Sequence, residues 1–400
     1  MIVAHKIALD PTNKQRTLLA KSAGTARFAY NWALEEWKRQ YKEGGKPNEG
    51  ELRKQLNSIK QSEFPWMLEV TKNAPQQAIK NLGNAFDRFF KGLGNYPNFK
   101  KKGMDDSFRA DNGPQKKGAD AVRVKGKKIQ LPVIGPVRMC EDLRFTGQIK
   151  SVTVSLHAGR WFASISVELD SAPKLPSKNQ GPVGVDLGIK SLAALSTGET
   201  VDSPKPYRRM LKLLKRRQRR LSKKKKGSKN RRKAVLKIQK LHAKIGNIRK
   251  ETLHQLSHSI SRDHNLIGIE DLNVKGMMAN EKLSRAIADM GFGELKRQLT
   301  YKSEQRGGTL YVADRWFPSS KLCSECGWKN EDLKLSDRSW ECGECKAQHD
   351  RDLNAAINLR NLAVSSTVTA CGEESSGISW IRNVKLASSK QEPNIKNAYG

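Results

Sequence analysis

Two apolar runs, Pro182–Leu187 and Leu266–Leu272, each carry a carboxylate where a strand core would place hydrocarbon. Asp186 interrupts the first; Glu270 and Asp271 interrupt the second. A third acidic stretch, His349-Asp350-Arg351-Asp352-Leu353-Asn354-Ala355-Ala356, opens a helical pattern. Burying a carboxylate costs on the order of several kcal/mol unless a cation or strong hydrogen bonds compensate it. The pattern predicts two strands and one helix start sharing a divided metal site.

Residue choice within this set follows from geometry. Alternation along a strand puts Glu270 and Asp271 on opposite faces, so only one of them can join Asp186. Glu270 shares a face with Leu266 and Gly268 and is preferred, although periodicity alone leaves the choice open. Asp350 and Asp352 compete for the third place, and either is also suited to be an ordinary helix N-cap. Asp186 has its own plain alternative, a core aspartate satisfied by backbone groups. Three carboxylates offer the hard oxygen ligands that magnesium takes, with positions left for water and phosphate, and two ions fit such a set. No Ser/His/Asp or Cys/His arrangement is evident, and Gly184-x-x-x-Gly188 is too weak a pattern for a phosphate loop.

Cys323-x2-Cys326 and Cys342-x2-Cys345 are separated by 15 residues, a spacing that suits one tetrahedral zinc ion. Soft thiolates favour zinc over magnesium, and four of them close the coordination shell, so the role is structural. His349 is a competing ligand only if one thiolate is displaced. Cys140 and Cys371 have no partner signal and read as free thiols.

Across its 400 residues the chain carries a formal net charge of +35, with pI near 10.0. Between Lys205 and Lys250 there are 22 Lys or Arg and no acid. Such a run repels itself unless a polyanion screens it, and nucleic acid is the leading candidate. No apolar run approaches the roughly 18 residues of a membrane span, and the N-terminus lacks signal-peptide character, so the expected location is the cytoplasm.

Along the chain, residues 1–10 alternate as a strand, and Thr12 is placed to cap a helix through Gln15, Leu18, Leu19, Phe28, Tyr30 and Trp32. A second helix covers Ala74–Phe90, with Ala78, Leu82, Ala85 and Phe89 on one face. Residues 107–170 read as short strands of a small barrel that the first strand completes: 121–124, 128–132, 137–140, 151–156 and 161–169. A linker covers 171–181. Strands follow at 183–189, 192–195, 266–272 and 309–313. Val235, Ile238, Leu241, Ile245 and Ile248 have helical spacing, and Lys223–Asn230 reads as the turn between two long antiparallel helices. Helices are expected at 288–306, stopped by Gly307-Gly308, and at 352–362, with a mobile tail beyond.

Three stretches give the chain a family resemblance. They are Gly24-x-x-Arg27-Phe28-x-Tyr30-Asn31, then Val185-Asp186-Leu187-Gly188, then a long block near the C-terminus. That block runs from Phe317-Pro318-Ser319-Ser320 through Cys323-x2-Cys326-Gly327 and Trp340-x-Cys342-x2-Cys345 to His349-Asp350-Arg351-Asp352-x-Asn354-Ala355-Ala356. Leu131-Pro132-x-Ile134-Gly135 is a weaker match. Over about residues 1–362 the chain resembles the TnpB (OrfB) proteins of bacterial insertion sequences, RNA-guided DNA endonucleases related to type V CRISPR effectors. Lys346, and Asn95 before Tyr96-Pro97, depart from the usual glycines.

The resemblance implies a multidomain α/β plus β-barrel chain. Its parts would be a wedge-like barrel (1–11 and 96–175), a helical recognition insertion (12–95), a RuvC-like nuclease domain of RNase H fold (182–317 and 347–362, basic helices 205–262), a zinc ribbon (318–346) and a tail (363–400). It implies Asp186, Glu270 and Asp352 as the catalytic acids, choosing Asp352 over Asp350. Two magnesium ions and one zinc would be the cofactors. The partners would be a guide RNA from the gene's own locus, one protein per guide, and double-stranded target DNA. Expected nucleic-acid contacts are Arg27, Tyr30, Asn31, Lys100, Lys101, Lys102, Arg208, Arg209, Lys212, Arg216, Arg217 and Arg220. Arg315, Trp316 and Lys321 lie in a loop suited to substrate, but Trp316 and Phe317 are expected to pack. The rival readings are a guided repressor that does not cut, a transposase joining DNA ends, and an RNA-packaging protein.

Overall fold

A computed structural model describes residues 1–104, 106–112, 121–170, 175, 177–334 and 336–370. The chain divides into two compact units, 1–172 and 173–400.

In the first unit, strand β1 (Ile2–Asp10) leads into helix α1 (Asn13–Lys42). Thr12 and Gln15 form a reciprocal capping box, which fixes the helix start at the position the sequence predicts. Helix α2 (Glu49–Ile59), a 3-10 turn (Pro65–Glu69) and helix α3 (Asn73–Phe90) follow. Alanines and small polar residues on α1, among them Ala23, Ala26, Ala29 and Ala33, are buried. The buried face of α3 is Ala78, Ile79, Leu82 and Phe86; Ala85 and Phe89 are only half-buried. The expected stripe is therefore turned toward Ile79 and Phe86, the latter stacked on Trp37 at 4.1 Å. Helix α2 leaves little trace in the sequence, because only Leu52 and Leu56 mark its buried side.

Six more strands complete this unit: β2 (Ser107–Asp111), β3 (Arg123–Lys125), β4 (Lys128–Leu131), β5 (Gly135–Met139), β6 (Gln148–His157) and β7 (Arg160–Glu168). They pair antiparallel in the order β2-β6-β7-β1-β5-β4-β3, with β1 central between β7 and β5. The edges β2 and β3 share no ladder among the described residues. Instead the Asn112 side chain bridges them, accepting from Val122 N (2.6 Å) and donating to Val122 O and Ile149 O.

The second unit is built on strands β8 (Pro182–Asp186), β9 (Ala193–Leu195) and β10 (Thr200–Val201). The long helices α4 (Pro206–Ser222) and α5 (Lys229–Asp263) come next, joined at the expected turn. Then come β11 (Leu266–Ile269), α6 (Val274–Ala279), α7 (Ser284–Met290), α8 (Phe292–Gln305) and β12 (Thr309–Val312). Last are the hairpin β13 (Ser339–Glu341) with β14 (Gln348–Asp350), and helix α9 (Arg351–Ala370). In place of the single helix expected at 288–306 two form, because Gly291 adopts φ 77° between α7 and α8. Helix α9 extends eight residues beyond the expected Leu362, into the predicted tail. Residues 371–400, including Cys371 and the rest of that tail, lie outside the described residues, as does much of the 171–181 linker.

Five strands pair as β10-β9-β8-β11-β12, with β8, β11 and β12 parallel and β8-β9-β10 antiparallel. Register pairs Val183 with Ile267, Gly184 with Gly268 and Val185 with Ile269. The four branched residues are fully buried in one core with Leu253, Leu256 and Ile260 of α5 and Leu295 and Leu299 of α8. Each buried Val or Ile contributes about 1.5–3 kcal/mol of transfer free energy. The two glycines face the other way, toward α9. A Cβ on Gly184 would overlap Ala356 O, and one on Gly268 would overlap Leu359 O. Two paired glycines thus let the α9 backbone lie against the sheet.

Helices α4 and α5 pack through Leu214, Leu241 and Ile245, with Met210, Leu213 and Ile238 partly covered. Arg217 Nη1 donates to Lys237 O, and Arg231 Nη1 to Leu221 O. The start of α4 is capped from α7: buried Asp289 accepts from the backbone N–H groups of Tyr207 and Arg208.

A carboxylate site beside a thiolate cluster

Asp186 ends β8, Glu270 follows β11 directly, and Asp352 lies in the first turn of α9. Because β8 and β11 are parallel and in register, their C-terminal ends deliver Asp186 and Glu270 to the same edge of the sheet. The close seat of α9 on Gly184 and Gly268 brings Asp352 to that edge. Glu270 Oε1 accepts from Leu187 N at 3.2 Å, tying the two strand ends together. Burial holds the Asp186 carboxyl well above the usual carboxylate range, and the charges of Glu270 and Asp352 push it further up. Arg351 and Arg338 pull the other way. Glu270 is also raised by burial, partly offset by the Leu187 N–H.

The neighbouring acids do different work. Asp271 accepts from Lys296 Nζ (2.8 Å) and Arg315 Nη2 (2.6 Å), and these hydrogen bonds hold it below the usual carboxylate range. Asp350 is exposed, and its Oδ1 accepts from Asp352 N and Leu353 N at 3.1 and 2.9 Å. Capping is thus done by Asp350, which leaves the Asp352 carboxylate for other partners; Arg338 Nη1 stands 3.4 Å from it. Hard oxygens, with the burial and neighbouring negative charge that raise Asp186, suit this donor set to divalent cations.

The four cysteines gather more tightly. Their sulfur atoms all lie within 4.8 Å of one another, a compactness that no other group of three or more Cys, His, Asp or Glu matches among the described residues. Cys323 Sγ is 3.6 Å from Cys345 Sγ, and Cys326 Sγ 3.5 Å from Cys342 Sγ. Sulfurs bound tetrahedrally at zinc distances stand about 3.8 Å apart, so the set fits one zinc ion. His349 Nε2 contacts Cys323 Sγ at 3.0 Å, and its ring packs on Trp340 at 4.7 Å.

Two buried asparagines, to which sequence reasoning assigns no role, fasten this cluster to α9. Asn354 Oδ1 accepts from Ser324 N, and its Nδ2 donates to Leu322 O; Asn358 Nδ2 donates to Ser319 O and Leu322 O. Two asparagines four apart on an otherwise apolar helix face are the available signal.

The expected nucleic-acid contacts divide. Arg208, Arg209, Lys212, Arg216 and Arg220 are exposed on α4, and Lys100, Lys101 and Lys102 are exposed on their loop. Arg217 is half-buried against α5. Arg27, Tyr30 and Asn31 make contacts within the protein. Arg27 pairs with Asp106 at 2.5 Å, Asn31 exchanges two hydrogen bonds with the Lys100 backbone, and the Tyr30 ring is buried beneath the Lys100 ammonium. They hold the basic loop on α1. Trp316 departs from the expectation that it packs: it is 85% exposed, beside the Arg315 that pairs with Asp271. Cys140 is exposed and free, in keeping with its lack of a partner signal. No helix among the described residues is long and apolar enough to cross a membrane.

Three family models match: "Probable transposase", OrfB_IS605, at residues 164–281; "Cas12f1-like, TNB domain" at 292–359; and a helix-turn-helix domain of OrfB_IS605 proteins at 1–46. In the last stretch the structure has one strand and one uninterrupted helix of 30 residues. A Streptomyces pristinaespiralis protein named "Putative RNA-guided DNA endonuclease" is 36% identical over 396 residues, 98% of this chain and 96% of the relative. An Escherichia coli K12 protein named "Putative RNA-guided DNA endonuclease InsQ" is 34% identical, over 92% of this chain and 94% of its own. A solved cryo-EM structure of a Cas12f1–sgRNA–target DNA complex holds a chain similar in fold, with TM-score 0.54 and 14% identity, covering 90% of this chain and 99% of that one. The fold is accordingly a Cas12-like multidomain α/β arrangement.

Proposed function

The chain belongs to the TnpB/OrfB family of IS605-type transposable elements, and on that premise we propose that it is an RNA-guided, magnesium-dependent DNA endonuclease. It cleaves guide-matched DNA beside a short flanking motif, through a single RuvC-like site in an RNase H-type unit. The observation that carries this is the convergence of Asp186, Glu270 and Asp352 on one sheet edge, where burial raises the pKa values of Asp186 and Glu270 and the charges of Glu270 and Asp352 raise Asp186 further. The mixed five-stranded sheet supports the RNase H reading, and the relatives' names support guidance by RNA.

Asp186, Glu270 and Asp352 would hold magnesium, which when bound would supply activation of a water and neutralisation of charge on the leaving oxygen. The protein's own part is to hold three carboxylates still. The strand register fixes two, the glycine-seated helix fixes the third, and the Asp350 cap keeps the backbone of α9 from recruiting Asp352. Arg338 partly offsets the charge of Asp352 and Asp186. The exposed cations of α4 would steer the phosphate backbone, while the seven-stranded sheet and helices of the first unit would hold the guide and read the flanking motif. Hydrolysis would leave a 5′ phosphate and a 3′ hydroxyl. The rival is strand transfer, favoured by the "Probable transposase" match; joined rather than hydrolysed ends would identify it. Incubating the RNA-bound protein with matched DNA and magnesium, and sizing the products, decides between them.

Reversing charge at Arg209, Lys212 and Arg216, one face of α4, should weaken DNA binding at 0.1 M salt. It should also lower the log–log salt slope, by about 0.9 for each phosphate no longer neutralised. An unchanged slope would remove α4 from the interface. For the thiolates, Cys342→Ser should abolish the roughly one zinc per chain expected of a closed four-cysteine site. It should also speed amide exchange in 318–346 while the five-stranded sheet stays protected; undiminished zinc content would exclude the assignment.

A further inference from the structure

A half-enclosed cavity of about 340 Å³ lies between the start of α4, helix α7 and the segment following β8. Its apolar lining is Ile189, Leu211 and Met290, and Tyr207, which also packs on the Leu214–Leu241 cluster, borders it. Its rim carries the exposed cations Arg208, Lys282 and Arg285, none of which makes an ion pair among the described residues. Lys205 also borders it, but its ammonium is taken by Lys190 O. Asp289 is the single acid among the lining residues, and both its oxygens accept backbone N–H groups of α4. The helix start is therefore satisfied from within, and the three exposed cations have no ion-pair partner among the described residues.

This is the size of a small-ligand pocket, and its chemistry is divided between ring and anion. An apolar lining beside a tyrosine takes a flat base; three unpaired cations take a phosphate. We infer that this cavity binds one unpaired nucleotide of a nucleic-acid strand, with its base against the apolar lining that Tyr207 borders and its phosphate on Arg208, Lys282 and Arg285. Ile189 lies three residues beyond Asp186, so a nucleotide parked here would fix the register of a strand relative to the carboxylates. The inference rests on the nucleic-acid reading proposed above, not on cleavage.

The test uses the full-length protein carrying Asp186→Ala. Decamers of 4-thiothymidine DNA or 4-thiouridine RNA are photocrosslinked to it, and the labelled peptides are identified. Label in the peptides holding Tyr207 or Met290 is expected, and whichever probe labels them identifies the strand. Ala286→Phe fills the cavity without touching the rim. It should weaken the preferred decamer on the order of tenfold, and leave an abasic decamer unaffected. The Lys282→Gln/Arg285→Gln pair should weaken both decamers. Equal affinity of Ala286→Phe and its parent for base-bearing strands, at an unchanged melting temperature, overturns the pocket and leaves only a basic surface; so does label confined to other peptides. Cutting of the probes by the Asp186→Ala protein would sink the carboxylate reading separately, and the crosslink map would still be read.

Discussion

Asp186→Asn should abolish cleavage and at the same time raise the melting temperature of the protein in magnesium-free buffer. Loss of a metal-holding carboxylate removes several kcal/mol of transition-state stabilisation, so activity should fall by about 10³-fold or more. The stability gain follows from linkage. The folded-state pKa of Asp186 is raised by burial first, then by Glu270 and Asp352, from an ordinary value of 3.8. Between that value and the raised one, the folded state holds a proton that the unfolded state has released. Stability therefore declines as pH rises through this interval, and the full penalty applies above it. Asparagine carries no such penalty. The variant's advantage should be present at neutral pH, shrink as pH falls toward 4, and diminish when magnesium stabilises the wild type. Each kcal/mol relieved should appear as roughly 2–4 °C in a domain of this size. A variant that melts below wild type at pH 8 without magnesium would mean that Asp186 is satisfied by the protein itself.

Gly184→Ala should be among the most damaging single-methyl changes in the chain. Its Cβ would overlap Ala356 O and stand 2.6 Å from Arg360 N, and both atoms belong to the backbone of α9, which cannot rotate away. Either the helix lifts or the strand bends. Overpacking of this kind costs about 1–3 kcal/mol and occasionally more, and a backbone obstacle belongs at the upper end. Lifting α9 also carries Asp352 away from Asp186, so cleavage should fall even where the protein remains folded. Gly246→Ala is the control: it lies inside α5 with open space around it and should stabilise by about 0.5–1 kcal/mol. Thermal melts of the three proteins, read beside their cleavage rates, separate the two losses. A Gly184→Ala protein that melts and cuts like wild type would remove the close seating of α9 from the explanation.

Much of the scaffold is legible in the sequence because local rules and tertiary packing agree there. The Thr12–Gln15 box, the alternating first strand, the two basic helices and their turn, and the parallel strands around Asp186 and Glu270 all follow from short-range patterns. The thiolate cluster is legible because its spacing allows few other readings. What escapes depends on contacts distant in sequence. Gly184 and Gly268 look like ordinary strand glycines until α9 lies on them. Asn354 and Asn358 look like polar intrusions in a helix until Leu322 and Ser319 supply their partners. Gly291 looks like an interior helix residue, although its φ of 77° ends one helix and begins another. Tyr30 and Asn31 also make contacts that local sequence does not announce, with the loop at Lys100. Trp316 illustrates the converse: an aromatic expected to pack stands in solvent because Asp314 and Arg315 turn the chain outward, with Trp316 N donating to Asp314 Oδ1 at 2.8 Å. Asp352 is separable from Asp350 on sequence only by resemblance, whereas the hydrogen bonds of Asp350 give a physical reason for the difference.

Guided cutting at the Asp186 carboxylate site can be read in one depletion assay. The protein, co-expressed with RNA from its own locus, would be incubated with magnesium and DNA carrying a guide-matched target beside randomised flanks, with Asp186→Ala in parallel. Depletion of a defined set of flanks by wild type alone, with 5′-phosphate ends at the target, is the expected result. Binding of the target without cutting by either protein, or cutting that persists in Asp186→Ala, would contradict it.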